Sequence, residues 1–271
     1  MSYATLQDYS SFTSNSSFTS FTSSSSSSSF TSSSREIESK KEYFLDQVPD
    51  PTWVILQYDD RELSAIDIEF IRRNQVYAKR HGYEYLFLSE NKHDLPHYWI
   101  KVKETMDLLH SGRYKGVLWI DTDAVIVQPQ RTLDSFFTTD KEKETSPHKK
   151  ETSPHMVLSR DTVRWGHGEF NAGVWLIRNT EQGRQLMTEW MDTYQPNTWW
   201  KENGSWKSSG PWSDVTYEQG AFIKYMIPKR REWLSYVEWD VFQDIQPTDK
   251  SFALHFSASQ KEYRTGFLAS H

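Results

Sequence analysis

Two rhythms of apolar residues alternate along residues 51–271. Short apolar runs at 53–58 (interrupted by Gln57), 85–88 and 117–120 predict buried strands. Between the first two, Ile66, Phe70 and Tyr77 fall near helical spacing within residues 62–81, and Gly82 sits where a helix C-cap belongs. Before the third, Val102, Met106 and Leu109 share one face of a predicted helix over 97–110, closed by Gly112. Apolar residues at 124–127 stop short of Pro129, and 156–159 and 173–178 predict further strands. Asn179, three residues before Gln182, predicts a capping box that opens a helix to about residue 194. Residues 196–213, with Pro196, Gly204, Gly210 and Pro211, read as a loop. Thr216 with Gln219 predicts a second capping box and a helix to Met226, and 233–237 and 252–256 read as late strands. Strands alternating with helices predict an α/β fold with a mainly parallel, Rossmann-like sheet, ligands binding at the carboxyl ends of its strands.

Residues 1–34 break the pattern. They hold 17 Ser, 5 Thr and 4 Phe, with Asp8 the only charge, and repeat a Ser-Phe-Thr-Ser unit, as at 11–14 and 29–32. Such a segment buries too little apolar area to offset its ordering entropy. The expected organisation is a disordered head over 1–34, a linker over 35–50 and one domain over 51–271. Lys-Glu-Thr-Ser-Pro-His occurs at 143–148 and again at 150–155, so 138–155 reads as a surface loop insertion, in preference to a metal pair of His148 and His155.

Composition excludes several classes. No apolar run approaches 18 residues, and the start lacks a basic segment and an apolar h-region, so neither a membrane span nor a secretory signal is read. With no Cys, disulfide scaffolds and thiol nucleophiles are excluded. A cytoplasmic location is expected rather than a Golgi lumen. The net charge of −6 without a basic block argues against nucleic-acid binding. Aromatic content is 15%, and nine of the 12 Trp lie between Trp165 and Trp239.

The candidate chemistry begins at Asp121-Thr122-Asp123, directly after the strand at 117–120. Two carboxylates two residues apart at a sheet's carboxyl edge suit a hard divalent cation, Mg²⁺ or Mn²⁺, able to bridge a nucleotide diphosphate. The plainer reading of such a pair is a turn with solvated Asp side chains.

Four blocks in order resemble a known family: Tyr98-Trp99-Ile100-Lys101, Leu118-Trp119-Ile120-Asp121-Thr122-Asp123-Ala124, the segment Phe170-Asn171-Ala172-Gly173-Val174-Trp175 running on to Asn179, and Leu254-His255-Phe256. The chain is similar, over about residues 53–261, to the GT-A fold glycosyltransferases of family 34, the α-galactosyl-, α-mannosyl- and xyloglucan α-xylosyltransferases. The resemblance implies Asp121, Asp123 and His255 as metal ligands, Mn²⁺ being favoured by the imidazole. It implies donor contacts from Gln57, Tyr58, Lys101, Asp121, Thr122, Asn171, Ala172, Gly173 and Lys261, with Gly173 letting backbone approach the sugar. Tyr217-Glu218-Gln219-Gly220 resembles the family's acidic-Gln block, which implies catalytic roles for Gln219 and Glu218. Tyr217 stands in that block where the family has an acid, and Asp214 is the candidate replacement carboxylate.

The implied activity is retaining, metal-dependent transfer of a sugar from a nucleotide diphosphate, with UDP the expected nucleotide, to a glycan or glycoprotein hydroxyl. Trp199, Trp200, Trp206 and Trp212 are candidates for an acceptor platform, because flat rings match the apolar faces of sugars. A catalytically inactive sugar-binding relative is the competing reading, motivated by Tyr217. A nucleotidyltransferase is disfavoured, since Gln57-Tyr58-Asp59-Asp60-Arg61 follows the first strand in place of a Gly-rich basic loop.

Overall fold

The structure, a computed structural model, describes residues 51–138, 153–161, 169–257, 260 and 262–270. The head and linker, most of the duplicated loop with His148, and Lys261 lie outside the described residues. All of the described residues belong to the unit Pro49–His271.

The first half follows the sequence pattern closely. Strand β1 (Thr52–Tyr58) leads to α1 (Ala65–His81), β2 (Glu84–Leu88), α2 (His97–His110), β3 (Tyr114–Ile120) and β4 (Ala124–Ile126). Helix α1 starts at a capping box, Ser64 with Asp67, and stops at Gly82, whose φ of 67° is the left-handed conformation that glycine adopts without strain. The second half runs β5 (Met156–Ser159), β6 (Asn171–Arg178), α3 (Glu181–Met191), β7 (Trp199–Glu202), β8 (Ser205–Ser208), α4 (Glu218–Ala221), a π-helical turn at Phe222–Met226, α5 (Ile227–Arg230), β9 (Leu234–Val237), α6 (Trp239–Phe242), β10 (Ala253–His255) and α7 (Tyr263–Ser270).

Six strands form the main sheet in the order β2-β1-β3-β6-β5-β9. Five run one way; β6 is antiparallel to both β3 and β5. Side chains alternate between two cores. Val54, Leu56, Val117, Trp119, Trp175 and Ile177 pack with α2 and α3 residues such as Trp99 and Trp190. Trp53, Ile55, Leu118, Ile120, Val174 and Leu176 face a second core with Tyr77 of α1 and Phe242 of α6. Burial on both faces is why these strands read as continuous apolar runs rather than alternating ones. Among the described residues no helix is long and apolar enough to cross a membrane.

Three local expectations are corrected. The N-cap of α3 is Thr180, whose side chain accepts from Gly183 N–H. Asn179 instead donates to Leu109 O and Tyr114 O (2.9 and 2.8 Å), tying α2 to β3. Helix α4 has Tyr217 at its N-cap and no side-chain cap, because Thr216 and Gln219 have other partners. Residues 199–208 are a hairpin rather than a loop: Asn203 and Gly204 both take positive φ (50° and 77°), as a two-residue Asn-Gly turn requires.

Candidate active site

The antiparallel course of β6 assembles the site. Its first residues lie at the edge where β3 ends, and Asp121 N–H donates to Gly173 O (2.8 Å). The chain then turns tightly, Ala124 N–H donating to Asp121 O (3.0 Å), and leaves as β4. Strand β4 pairs with β10 in the register Ala124–His255, and Phe256 N–H donates to Asp123 O (3.0 Å). This short ladder carries His255 to the acidic turn. Ligand atoms of Asp121, Asp123 and His255 all lie within 4.8 Å of one another.

The donor set suits a divalent cation. His255 is buried, and its Nδ1–H donates to Gln243 Oε1 (2.5 Å). Its Nε2 lies 3.2 Å from Asp123 Oδ1 and 3.9 Å from Asp121 Oδ2, and is the nitrogen left to ligate a cation when it gives up its proton. A carbonyl or amide oxygen fixing the tautomer of a ligating His is the usual outer-sphere device. Burial works to lower the imidazole pKa, but Asp123 and Asp121 outweigh it and hold it above the ordinary value. The same attraction serves a bound cation.

Gly173 borders the cavity and also packs closely against His255. A Cβ there would lie 2.1 Å from His255 Cε1, so the glycine makes room for the imidazole. Gln57 is reassigned. It is fully buried, and so is no donor contact; its Nε2 donates to Asp121 O (3.2 Å) while its Oε1 accepts from Tyr85 OH and from Asn74 Nδ2. Asn74 Nδ2 also donates to Ala124 O (3.1 Å), and its Oδ1 accepts from Ile126 N–H (2.9 Å). Gln57 and Asn74 therefore grip the acidic turn at both ends. Sequence reasoning missed Asn74, although a polar residue on the apolar face of α1, four positions after Phe70, was a usable signal. For Gln243 no such signal exists. Asn74→Ala is expected to cost about 2–4 kcal/mol, since it orphans buried backbone groups, and to weaken Mn²⁺ binding beyond that; urea unfolding and metal titration measure the two separately.

Lys101, from α2, is buried with Nζ 3.0 Å from Asp121 Oδ1, 3.2 Å from Ala172 O and 3.4 Å from Glu218 Oε1. Burial alone would lower its pKa, but Asp121 and Glu218 outweigh it and hold the ammonium charged. Burial raises the Glu218 pKa, with Lys101 acting against that and Asp121 adding to it. Gln219 Oε1 accepts from Ala172 N–H (2.9 Å), and its Nε2 donates to Ser213 Oγ (3.4 Å). Asn171 Oδ1 accepts from Gly173 N–H (2.9 Å). Asp214 does not line the site's cavity: its Oδ1 accepts from both N–H and Oγ1–H of Thr216 (2.7 and 2.6 Å), and Gly210 packs on the carboxylate.

The tryptophans act mostly from within. Trp99 and Trp199 both donate their indole N–H to Thr216 O, Trp190 to Glu218 O, Trp119 to Asp121 Oδ1 and Trp175 to Ala172 O. All five are buried, and each holds a segment of the site. Of the four expected acceptor residues, Trp199 is thus in the core, Trp200 and Trp206 lie on the hairpin, and Trp212 lines the cavity.

That cavity holds about 560 Å³ and is bordered by Asp121, Asp123, His255, Lys101, Glu218 and Gln219, among others. A second cavity of about 250 Å³ shares Lys101, Asp121 and Asp123 with it and adds Tyr58 and Thr122. Thr122 Oγ1 donates to Asp59 Oδ2 (2.6 Å), and Arg61 grips the same carboxylate with two N–H bonds. Burial would raise the Asp59 pKa, but the bonds from Arg61 and Thr122 hold it below the ordinary value.

A largely parallel sheet with one reversed strand, and an acidic turn facing a large cleft, make up the GT-A glycosyltransferase fold. A glycosyltransferase involved in glycosylation of the PBCV-1 major capsid has the same fold, with a TM-score of 0.52 at 12% identity, covering 80% of this chain and 100% of that one. The profile of the galactosyl transferase GMA12/MNN10 family matches residues 56–239, and the chain belongs to that family. Family and fold together support a sugar-transfer function. Lower structural scores are given by GlyE of Streptococcus pneumoniae TIGR4 (TM-score 0.45, 14% identity, 79% of this chain and 60% of that) and by a Drosophila β-1,4-galactosyltransferase 7 variant in complex with manganese, UDP-Gal and xylobiose (0.40, 13%, 78% and 73%). No curated protein sequence matches the chain.

Proposed function

We propose that this protein is a metal-dependent, retaining glycosyltransferase that moves a sugar from a nucleotide diphosphate, a UDP-sugar, to a glycan hydroxyl. The observation that carries the reading is the meeting of Asp121, Asp123 and a tautomer-fixed His255 at the wall of the main cavity. Two carboxylate oxygens and an imidazole nitrogen fit Mn²⁺ better than Mg²⁺. A cation held there offsets negative charge on a departing diphosphate.

The chain's own groups supply the rest. Lys101 keeps a positive charge beside Asp121, and Asn171, Ala172 and Gly173 bring β6 backbone to the same edge. Tyr58 and Thr122 border the smaller cavity, which suits the nucleoside. Glu218 is paired with Lys101, and the Gln219 carboxamide is fixed at both ends and is a poor nucleophile. Those two facts favour a front-face route. The anomeric carbon–diphosphate bond breaks, the acceptor oxygen bonds to the same face of that carbon, and the acceptor's proton passes to the departing phosphate oxygen.

A panel of nucleotide sugars with Mn²⁺, with and without chelator, tests this directly. Chelator-sensitive hydrolysis of one donor is expected. Binding without hydrolysis would favour the inactive relative, and neither would overturn both. In the same proposal the catalytic domain occupies residues 51–271, and the Ser-rich head at 1–34 takes no part in turnover. Removing residues 1–34 is expected to leave turnover and melting temperature unchanged.

A further inference from the structure

The loop after the hairpin keeps a large ring in water. Trp212 is 63% exposed, the most exposed of the large apolar side chains among the described residues. An exposed Trp on a loosely held segment would be commonplace, but this loop is tied at many points. Asp214 bonds Thr216 twice, and Thr216 O takes the indole N–H of Trp99 and Trp199. A Cβ on Gly210 or Gly220 would collide with Asp214 at 2.2 and 2.0 Å. Ser213, next to Trp212, is buried at a φ of 67°, a left-handed conformation that is strained for a residue with a Cβ. The fold therefore holds the indole at the cavity rim rather than letting it collapse inward.

Trp212 does not stand alone. Tyr98 and Tyr217 meet it and each other edge-to-face, with all three ring-centroid separations at 5.0 Å. Buried Trp199 backs the group, 5.0 Å from Tyr217 and 6.2 Å from Tyr98. All three front rings border the same cavity as Gln219 and the metal-binding cluster. The wall is thus continuous with the place where sugar transfer is proposed, and it combines apolar faces with phenolic edges.

We infer that Tyr98, Trp212 and Tyr217 form the acceptor subsite, and that it takes a pyranose whose C–H face lies on the Trp212 indole. This rests on the glycosyltransferase reading of the same cavity. Rings stacked on aromatic side chains gain contact area with little entropy loss, and neighbouring hydroxyls set orientation. Tyr217 then serves the acceptor rather than marking a lost acid. Trp200 and Trp206 lie outside this wall.

The test uses the full-length protein, its best donor from the hydrolysis panel, and methyl pyranosides and β-linked disaccharides as acceptor probes, with glycerol as the ringless control. Trp212→Ala and Tyr217→Ala are expected to lower acceptor kcat/KM at least tenfold more than donor hydrolysis, chiefly by raising acceptor KM. Tyr217→Phe and Trp212→Phe, which keep a ring, are expected to recover most of that loss. Equal losses in transfer and hydrolysis, or glycerol serving as well as the pyranosides, would overturn the subsite while leaving the enzyme. Absence of donor hydrolysis in the unmodified protein would overturn the underlying reading, and the subsite with it.

Discussion

Asp123→Ala is expected to reduce Mn²⁺-dependent turnover by roughly 10²–10³-fold or more, the scale on which one electrostatic contact to a developing charge is lost. Asp123 sits in the turn whose backbone is pinned by Phe256 N–H, and its Oδ1 faces His255 Nε2 at 3.2 Å. The carboxylate can therefore be removed without removing its neighbours. His255→Ala is expected to act the same way, with Asp123→Asn intermediate. Mn²⁺ titration followed by electron paramagnetic resonance should show weaker binding in step with turnover. Full activity in Asp123→Ala or His255→Ala would remove the metal assignment.

The second large effect is expected from a single methyl group. Gly173→Ala places a Cβ 2.1, 2.6 and 2.7 Å from three atoms of the His255 ring. The ring has nowhere simple to go, being buried and bonded to Gln243. Overpacking of this kind costs about 1–3 kcal/mol in stability, and relieving it moves the imidazole off its ligand position. Mn²⁺ affinity and turnover should both fall at least tenfold, far more than the small drop in melting temperature implies. Wild-type Mn²⁺ affinity in Gly173→Ala would show that His255 is not a ligand. Alanine has no conformational objection here, since Gly173 is absent from the positive-φ residues, so the effect reports the contact alone.

The strands and helices of the first half were legible because each buried element carries its own period. The runs at 53–58 and 117–120 are buried on both faces, and Gly82 marks the end of α1 in local chemistry; the capping box of Ser64 and Asp67 that starts α1 was not read. The second half misled where two local signals competed. Asn179 and Thr180 are both good capping residues, and the tertiary demand for a bond to Leu109 O and Tyr114 O took Asn179 away. At 196–213 the breakers Pro196, Gly204, Gly210 and Pro211 suggested a loop, and the Asn-Gly turn between two short strands was overlooked.

By itself the sequence determined the α/β class, the boundaries of the early elements and the identity of the acidic turn, since these rest on periods and motifs within a few residues of one another. It also carried Lys101, Glu218, Gln219 and His255 as site members, through resemblance. Only the tertiary structure decided what those residues touch. The reversal of β6 and the three-residue ladder of β4 with β10 bring together groups far apart in the chain, and no local pattern encodes that pairing. The tryptophans show the same division. Their number is written in the composition, but five point their N–H groups at the site's own backbone and carboxylate from the core, and one is held out at the rim. The physical reason is that a buried indole must find an acceptor, and which one it finds depends on the packing of the whole domain.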